Sequence, residues 1–224
     1  MFPAVCTLCE NSLITSSEIK YGLCLKCCEA LLPEEKNRCN LCGKPLVSEK
    51  EICIPCRNGQ NHSYDRLWVI FPYTGKYRTL LKQYKFSKNL SLADFFAEKI
   101  LEIIYENPVL KDAVIIPVPP RPGKIKNSGW DQVEYLLKRL KKISKPCISV
   151  FRCLKRKKSK IQKRLDRTER LKNLKGRIFM QGNAPKIALI IDDVITTGST
   201  MEVCASVLKE NGAQEVYGLC LFYD

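Results

Sequence analysis

Short apolar runs alternate with longer amphipathic stretches over the last 160 or so residues of the chain. Residues recurring at i, i+3, i+4 and i+7 predict helices, and short uninterrupted apolar runs predict buried strands. The strand-like runs are LWVIFPY (67–73), AVIIPVP (113–119, stopped by prolines), KIALIID (186–192) and EVYGLCLFY (215–223). The helical stretches are LADFFAEKILEII (92–104), DQVEYLLKRL (131–140, Asp131 as N-cap) and STMEVCASVLKENG (199–212, Gly212 as the stop). Strands alternating with helices predict an α/β fold with a mainly parallel sheet and helices on both faces.

The first 57 residues follow another pattern, built on paired cysteines. Eight of the 13 cysteines form four CxxC pairs. Repeated CxxC pairs are typical of metal thiolates, and Zn²⁺ prefers four thiolates in tetrahedral geometry. We therefore predict two structural zinc ions. Consecutive pairing is favoured, and cross-brace pairing of the first pair with the third stays open. The predicted ligands are Cys6, Cys9, Cys24 and Cys27 for one ion, and Cys39, Cys42, Cys53 and Cys56 for the other.

The polar stretch RNGQNHSYD (57–65) marks the predicted boundary between two domains. Residues 1–60 are expected to form a metal-stabilised module, because so short a segment buries too little surface to fold on its core alone. Residues 66–224 are expected to form the α/β domain. His62 is predicted to be a linker residue rather than a ligand. The remaining cysteines are predicted to be small buried apolar residues; they are Cys28, Cys147, Cys153, Cys204 and Cys220.

Two adjacent acids, Asp192 and Asp193, stand at the end of an apolar run and are followed by a loop of hydroxyl residues around a glycine. Ligands of open α/β sheets bind beyond the carboxyl ends of the strands. Backbone N–H groups, hydroxyls and a helix N-terminus can cradle a phosphate, and carboxylates accept hydrogen bonds from ribose hydroxyls. The pattern predicts a ribose 5-phosphate site, with Mg²⁺ offsetting residual charge. The predicted loop residues are Thr196, Thr197, Gly198, Ser199 and Thr200.

The net charge of +15 is concentrated between Arg152 and Arg177, where 13 Lys or Arg stand against two acids. Such a run indicates either a solvated face or a surface that binds a polyanion. The candidate nucleic-acid residues are Lys155, Arg156, Lys157, Lys158, Lys160, Lys163 and Arg164. No apolar run reaches the roughly 20 residues of a membrane span, and the first residues lack the pattern of a signal peptide. We therefore expect a soluble, cytoplasmic protein.

The motifs together resemble the ComF family. ALIIDDVITTGST (188–200) is similar to the motif of type I phosphoribosyltransferases that binds phosphoribosyl pyrophosphate (PRPP). IIPVPPRPGKIKNSGWDQVEYLL (115–137) resembles the family's second signature, and QKRLDRTERLKNLKGRIF (162–179) a third. The cysteine pairs match its double zinc ribbon. The resemblance implies a phosphoribosyltransferase-like fold, PRPP binding with Mg²⁺, and a role in DNA uptake during natural transformation, with single-stranded DNA and DNA-uptake or recombination proteins as partners.

One departure from the family pattern lies in the loop expected to bind pyrophosphate. Ser128 stands where the family usually has arginine, and Asp131 replaces asparagine. An arginine there would supply a charge-assisted contact worth about 1.5–3 kcal/mol. Candidates to replace it are Arg121, Lys124 and Lys126, in a loop that ends at Gly129. Three functions stay open at this point: a DNA-handling protein, an active phosphoribosyltransferase on a nucleobase-like acceptor, and a sensor that binds PRPP without turning it over.

Overall fold

A four-stranded parallel sheet forms the centre of the computed structural model, which describes residues 4–31, 37–145, 148–157 and 174–224. The strands are β1 (Arg66–Pro72), β2 (Val114–Pro117), β3 (Leu154–Arg156), β4 (Ile178–Met180), β5 (Ile187–Ile195) and β6 (Glu215–Tyr223). The helices are α1 (Ser16–Tyr21), α2 (Leu25–Ala30), α3 (Ile54–Arg57), α4 (Gly75–Lys85), α5 (Leu92–Glu106), α6 (Lys124–Ser128), α7 (Gln132–Ile143) and α8 (Ser199–Glu210). A 3₁₀ turn spans Pro108–Leu110.

The sheet order is β1-β6-β5-β2, and each of its three strand pairs is parallel. Alternate residues of β5 pack against different cores, because successive side chains of a strand point to opposite faces. Leu189 and Ile191 join the core built with α4, α5 and α7. Ala188 and Ile190 join the core built with α8 and the β3-β4 hairpin. The α/β fold with a parallel sheet covered on both faces, as predicted from the sequence, is confirmed.

The ends of two predicted helices follow the expected chemistry. The Asp131 carboxylate accepts hydrogen bonds from the backbone N–H groups of Val133 and Glu134, both at 3.0 Å, and so caps α7. Gly212 follows α8 with φ at 99°, a left-handed conformation that favours glycine.

Helix α4 is not among the helices predicted from the sequence. Its buried residues Tyr77, Leu80, Leu81 and Tyr84 have helical spacing, but an arginine, a threonine, a lysine and a glutamine separate them and lower the mean hydropathy of the stretch. The helical period of the apolar residues was therefore present in the sequence, but the polar residues between them obscured it.

The two cysteine groups pack differently. Cys6, Cys24, Leu23 and Leu31 belong to the same apolar core as α5 and the sheet. The second group forms a small cluster of its own, made of buried Cys39, Cys53 and Cys56. The second group also contacts the sheet, since the N–H of Leu67 in β1 donates to the carbonyl of Leu41 at 2.9 Å. The domain boundary near residue 60 stays a prediction.

Of the five other cysteines, Cys153, Cys204 and Cys220 are buried as predicted, Cys28 is half-buried, and Cys147 lies outside the described residues. Within the described parts of the chain, no helix has both the length and the apolar character needed to cross a bilayer.

Candidate functional site

Asp192 and Asp193 lie within β5, which continues through Ile195. They therefore lie near the end of the strand rather than beyond it, and as neighbours they point to opposite faces of the sheet. Both line one cleft at the carboxyl end of the sheet, with a volume of about 740 Å³. That volume falls in the usual range for small-molecule sites.

Two residues not anticipated from the sequence hold Asp193. The Nζ of Lys85, the last residue of α4, lies 2.9 Å from Asp193 Oδ2. Gln132, the first residue of α7, donates through Nε2 to the same oxygen at 2.5 Å. Gln132 lies within the second signature (115–137) but was not predicted as a site residue, and Lys85 at its helix end carries no sequence signal of a site, because only the fold brings both to the acids.

The two carboxylates differ in their electrostatic environment. Burial raises the pKa of Asp192 well above its usual range, and the neighbouring charge of Asp193 raises it further. Burial also opposes ionisation of Asp193, but the Lys85 ammonium outweighs it and lowers the pKa of that carboxyl. Asp193 is thus the paired, ionised member, and Asp192 is the member whose charge the site disfavours.

The loop Thr196 to Gly198 turns the chain from β5 into α8, with Gly198 at the N-cap position of the helix. Gly198 has φ at 74°, where other residues are strained. A Cβ there would meet Ile195 at an ordinary 3.6 Å, so the backbone conformation, and not lack of space inside the protein, requires the glycine. The hydroxyls of Thr197 and Ser199 are 2.9 Å apart, and Ser199 is buried. Ser199 therefore holds the loop in shape, while Thr196 is exposed and Thr197 and Thr200 are half-buried.

A partly buried arginine reaches the same cleft from strand β3. Arg156, in β3, lines the cleft, and its Nε is buried with no hydrogen-bond partner among the described residues. Burial lowers the pKa of Arg156, and the nearby positive charge of Arg121 adds to the effect. Two cations that repel each other, one with an unsatisfied buried N–H, form an environment that an anion would stabilise.

Only part of the predicted pyrophosphate loop lines the cleft. Arg121 and Lys124 line the cleft. Lys126 and Gly129 are not among the described residues that line it. The Nζ of Lys124 also lies 2.6 Å from the Asp131 carboxylate, so the aspartate that replaces the family's asparagine orients this lysine.

Ser128, which stands at the position of the family's arginine, acts locally. Its hydroxyl donates to the carbonyl of Lys124 at 2.7 Å at the end of α6. It therefore stabilises a helix end and carries no charge into the cleft. Arg156 brings a cation to the cleft from elsewhere in the chain.

The basic candidates for nucleic acid are not all on one surface. Lys155 in β3 and Lys157 just after the strand are exposed, whereas Arg156 between them turns into the cleft. The Nζ of Lys157 lies 5.3 Å from the centre of the Phe179 ring. The remaining candidates lie outside the described residues; they are Lys158, Lys160, Lys163 and Arg164.

The cysteines form the two groups expected from consecutive pairing. In each group the four sulphur atoms lie within 4.8 Å of one another. Two of the distances between pairs, Cys9 to Cys24 and Cys42 to Cys53, are 3.6 Å. Tetrahedral Zn²⁺ with Zn–S bonds of about 2.3 Å requires sulphurs about 3.8 Å apart. The four thiols of each group therefore fit a structural zinc ion, and the cross-brace alternative is excluded.

The thiols differ in how readily they ionise to the thiolates that bind a metal ion. Although burial opposes ionisation, backbone hydrogen bonds lower the pKa of Cys6 and of Cys39 to about 7. Burial and neighbouring thiols raise the pKa of Cys27 and of Cys56. One thiolate per group thus forms readily, and bound Zn²⁺ would stabilise the others as thiolates.

His62 does not sit in an open linker. Its Nε2 lies 3.4 Å from the sulphur of Cys56. On the other side of the ring, Nδ1 lies 3.4 Å from Oε2 of Glu202 in α8. The ring stacks on Tyr64 with centres 4.6 Å apart. His62 lies outside the group of four ligands, as predicted, but it touches one of them.

The fold and sites define a class of protein that combines a parallel α/β sheet with two Cys₄ groups. No family model matches the chain. The chain is 26% identical to competence protein ComFC of Streptococcus pneumoniae, covering 87% of this chain and 84% of that protein. It is 27% identical to the DNA utilization protein YhgH of Escherichia coli K12, covering 98% and 96%. It is 26% identical to competence protein F of Haemophilus influenzae, covering 94% and 93%. These similarities over most of the chain support its resemblance to the ComF family.

Proposed function

We propose that this protein binds PRPP, or a related ribose 5-phosphate, in the cleft at the end of β5, and that it handles single-stranded DNA in the cytoplasm during DNA uptake. The names of its relatives, competence proteins and DNA utilization proteins, support the DNA-related part. The sugar phosphate part rests on the geometry of the cleft.

The observation that carries the ligand assignment is the convergence of three chemistries in one cleft. The acids Asp192 and Asp193 are acceptors for ribose hydroxyls, and the loop that ends at Gly198 is a phosphate cradle. Arg156, whose Nε has no hydrogen-bond partner in the described parts of the chain, faces the same space. A ligand with a phosphate, vicinal hydroxyls and a further anionic group satisfies all three, and PRPP has this composition. Mg²⁺ is proposed to accompany the pyrophosphate, because Mg²⁺ is commonly bound through substrate phosphates.

Arg156, the last residue of β3, and Lys157, which follows it, supply the test. Arg156→Met removes the cation that faces the cleft, and Lys157→Met removes an exposed one beside it. Loss of a charge-assisted contact of about 1.5–3 kcal/mol should weaken PRPP binding by roughly 10- to 150-fold. Calorimetric titration with Mg²⁺ should show that loss in Arg156→Met and near wild-type affinity in Lys157→Met. Equal affinity in both variants would contradict the assignment, as would absence of binding to the wild type.

An active phosphoribosyltransferase is a second candidate, favoured by the cations that reach the cleft despite Ser128. Arg121, Lys124 and Arg156 together can neutralise a leaving pyrophosphate. Among the described residues that line the cleft there is no histidine or glutamate to act as a general base. Release of pyrophosphate from PRPP in the presence of a panel of nucleobases would establish the transferase. PRPP binding without turnover across the panel would favour a role as ligand or effector.

A further inference from the structure

The second Cys₄ group is connected to helix α8 through two consecutive residues. His62 bridges the sulphur of Cys56 and the carboxylate of Glu202, at 3.4 Å on each side. Ser63 donates to Glu202 Oε1 from its backbone N–H at 2.9 Å and from its hydroxyl at 2.6 Å. The His62 side chain is 6% exposed and that of Glu202 is 18% exposed, so this connection is largely shielded from water.

Glu202 lies in the first turn of the helix that carries the phosphate-binding loop. Its backbone N–H donates to the carbonyl of Gly198 at 2.9 Å. Hydrogen bonds from His62 and Ser63 also help to lower the pKa of Glu202, although burial opposes ionisation. Three groups on the zinc side therefore fix a charged residue only one helical turn from the glycine of the cradle.

The first Cys₄ group has no comparable contact with the cradle among the described residues. Its side-chain hydrogen bonds with the α/β domain reach α5, the loop before it, and the first turn of α4, where Lys76 donates to the carbonyl of Ala30. Lys20 pairs with Glu98 of α5 at 2.7 Å, and Tyr21 donates to the same carboxylate. Asn89 donates to Thr7 at 2.9 Å. Loss of this group should disturb the packing of α5 without acting on the loop after β5.

We propose that the second zinc site positions the phosphate-binding loop through His62, Ser63 and Glu202, so that zinc binding there and sugar phosphate binding strengthen each other. This inference rests on the proposed ribose phosphate site. Such coupling is reciprocal: if zinc in the second group raises the affinity for the sugar phosphate, the sugar phosphate raises the zinc affinity of that group by the same factor. Couplings between sites are commonly about 5- to 150-fold.

Two matched substitutions test the inference in the full zinc-loaded chain. Glu202→Gln weakens the contact with the second zinc module, and Glu98→Gln weakens the corresponding contact with the first. Ribose 5-phosphate affinity is measured by calorimetry. Zinc affinity is measured at equilibrium by competition with a chromogenic chelator, with and without saturating ribose 5-phosphate. The affected zinc is assigned with Cys9→Ser, which lacks the first site, and Cys53→Ser, which lacks the second.

In the wild type, ribose 5-phosphate should tighten one zinc about fivefold or more, and the effect should persist in Cys9→Ser and vanish in Cys53→Ser. Glu202→Gln should lose most of this tightening and bind ribose 5-phosphate about fivefold more weakly, while Glu98→Gln retains both. If ribose 5-phosphate binds the wild type but leaves its zinc affinity unchanged, the inference is overturned and the proposed site stands. A change in zinc affinity that survives in Glu202→Gln, or that is equally reduced in Glu98→Gln, also overturns the inference. A wild type that does not bind ribose 5-phosphate overturns the proposed site as well.

Discussion

The ammonium of Lys85 lies 2.9 Å from the carboxylate of Asp193. This contact means that one charge of the acid pair is already compensated within the protein. The cleft therefore carries less negative charge than the two adjacent acids suggest in the sequence. A proposed Mg²⁺ ion is needed less at the carboxylates than at the pyrophosphate of the ligand.

The acid pair should affect folding stability with opposite signs. Asp192→Asn removes a half-buried carboxyl whose pKa is raised, and we expect stabilisation by about 1–2 kcal/mol at neutral pH. Asp193→Asn leaves Lys85 without its partner, and we expect destabilisation by about 1–3 kcal/mol. Thermal unfolding of both variants beside the wild type provides the measurement.

The pH dependence separates the two effects. The folded pKa of Asp192 is raised, so the wild type loses stability as pH rises from about 3.9 through that folded pKa. The advantage of Asp192→Asn should then grow over this range and disappear near pH 4. The folded pKa of Asp193 is lowered, so its contribution is present above about 3.9 and is lost only as pH falls through the folded pKa. Changes in folding stability of the same sign in Asp192→Asn and Asp193→Asn would contradict the roles assigned to the two acids.

Replacing both acids by alanine should abolish Mg²⁺-dependent PRPP binding, because the proposed acceptors for the ribose hydroxyls are gone. Gly198→Val should do the same, since valine is strained at φ of 74° and its side chain would stand beside the cradle. Glycine at 212 has φ of 99° outside the cleft lining, so Gly212→Val is the matched control, with a similar backbone cost and no loss of affinity. Wild-type affinity by calorimetry in either site variant would mean that the ribose phosphate lies elsewhere.

Purified protein should contain two zinc ions per chain, as measured by elemental analysis. Replacing Cys39 and Cys42 should release one ion and leave residues 66–224 folded, because the second group forms a separate small cluster. Replacing Cys6 and Cys9 should release one ion and lower the unfolding temperature more, because that group shares the main core with α5. One zinc ion or none in the wild type would refute the metal assignment, and equal unfolding temperatures in the two double variants would refute the difference in packing.

Binding of single-stranded DNA should depend steeply on salt if the basic stretch follows its backbone. With about six phosphate contacts, affinity should fall roughly a thousandfold between 50 and 200 mM salt. Charge reversal at Lys157 and Lys158 should weaken binding to all sequences alike and flatten the slope. PRPP affinity should be unchanged, because Lys157 lies outside the cleft lining. A flat salt dependence, or a reversal that harms PRPP binding and spares DNA, would favour the transferase.

The sequence by itself determined the features that depend on local spacing. The period of apolar residues predicted the parallel α/β sheet, four CxxC pairs predicted two Cys₄ groups, and the stretch from Asp192 to Thr200 marked the loop at the end of a strand. Each of these signals lies within a few residues of chain, where geometry follows from neighbours.

The tertiary structure decided which distant residues complete each site. Lys85 and Gln132 reach Asp193 from two other elements, over 108 and 61 residues of sequence. His62 meets Glu202 across 140 residues. Arg156, one of several cations in a basic run, is distinguished only because the pleat of β3 turns it into the cleft while Lys155 and Lys157 face solvent. Such contacts have no local pattern, because the folding of the sheet and the packing of helices on its two faces bring these side chains together.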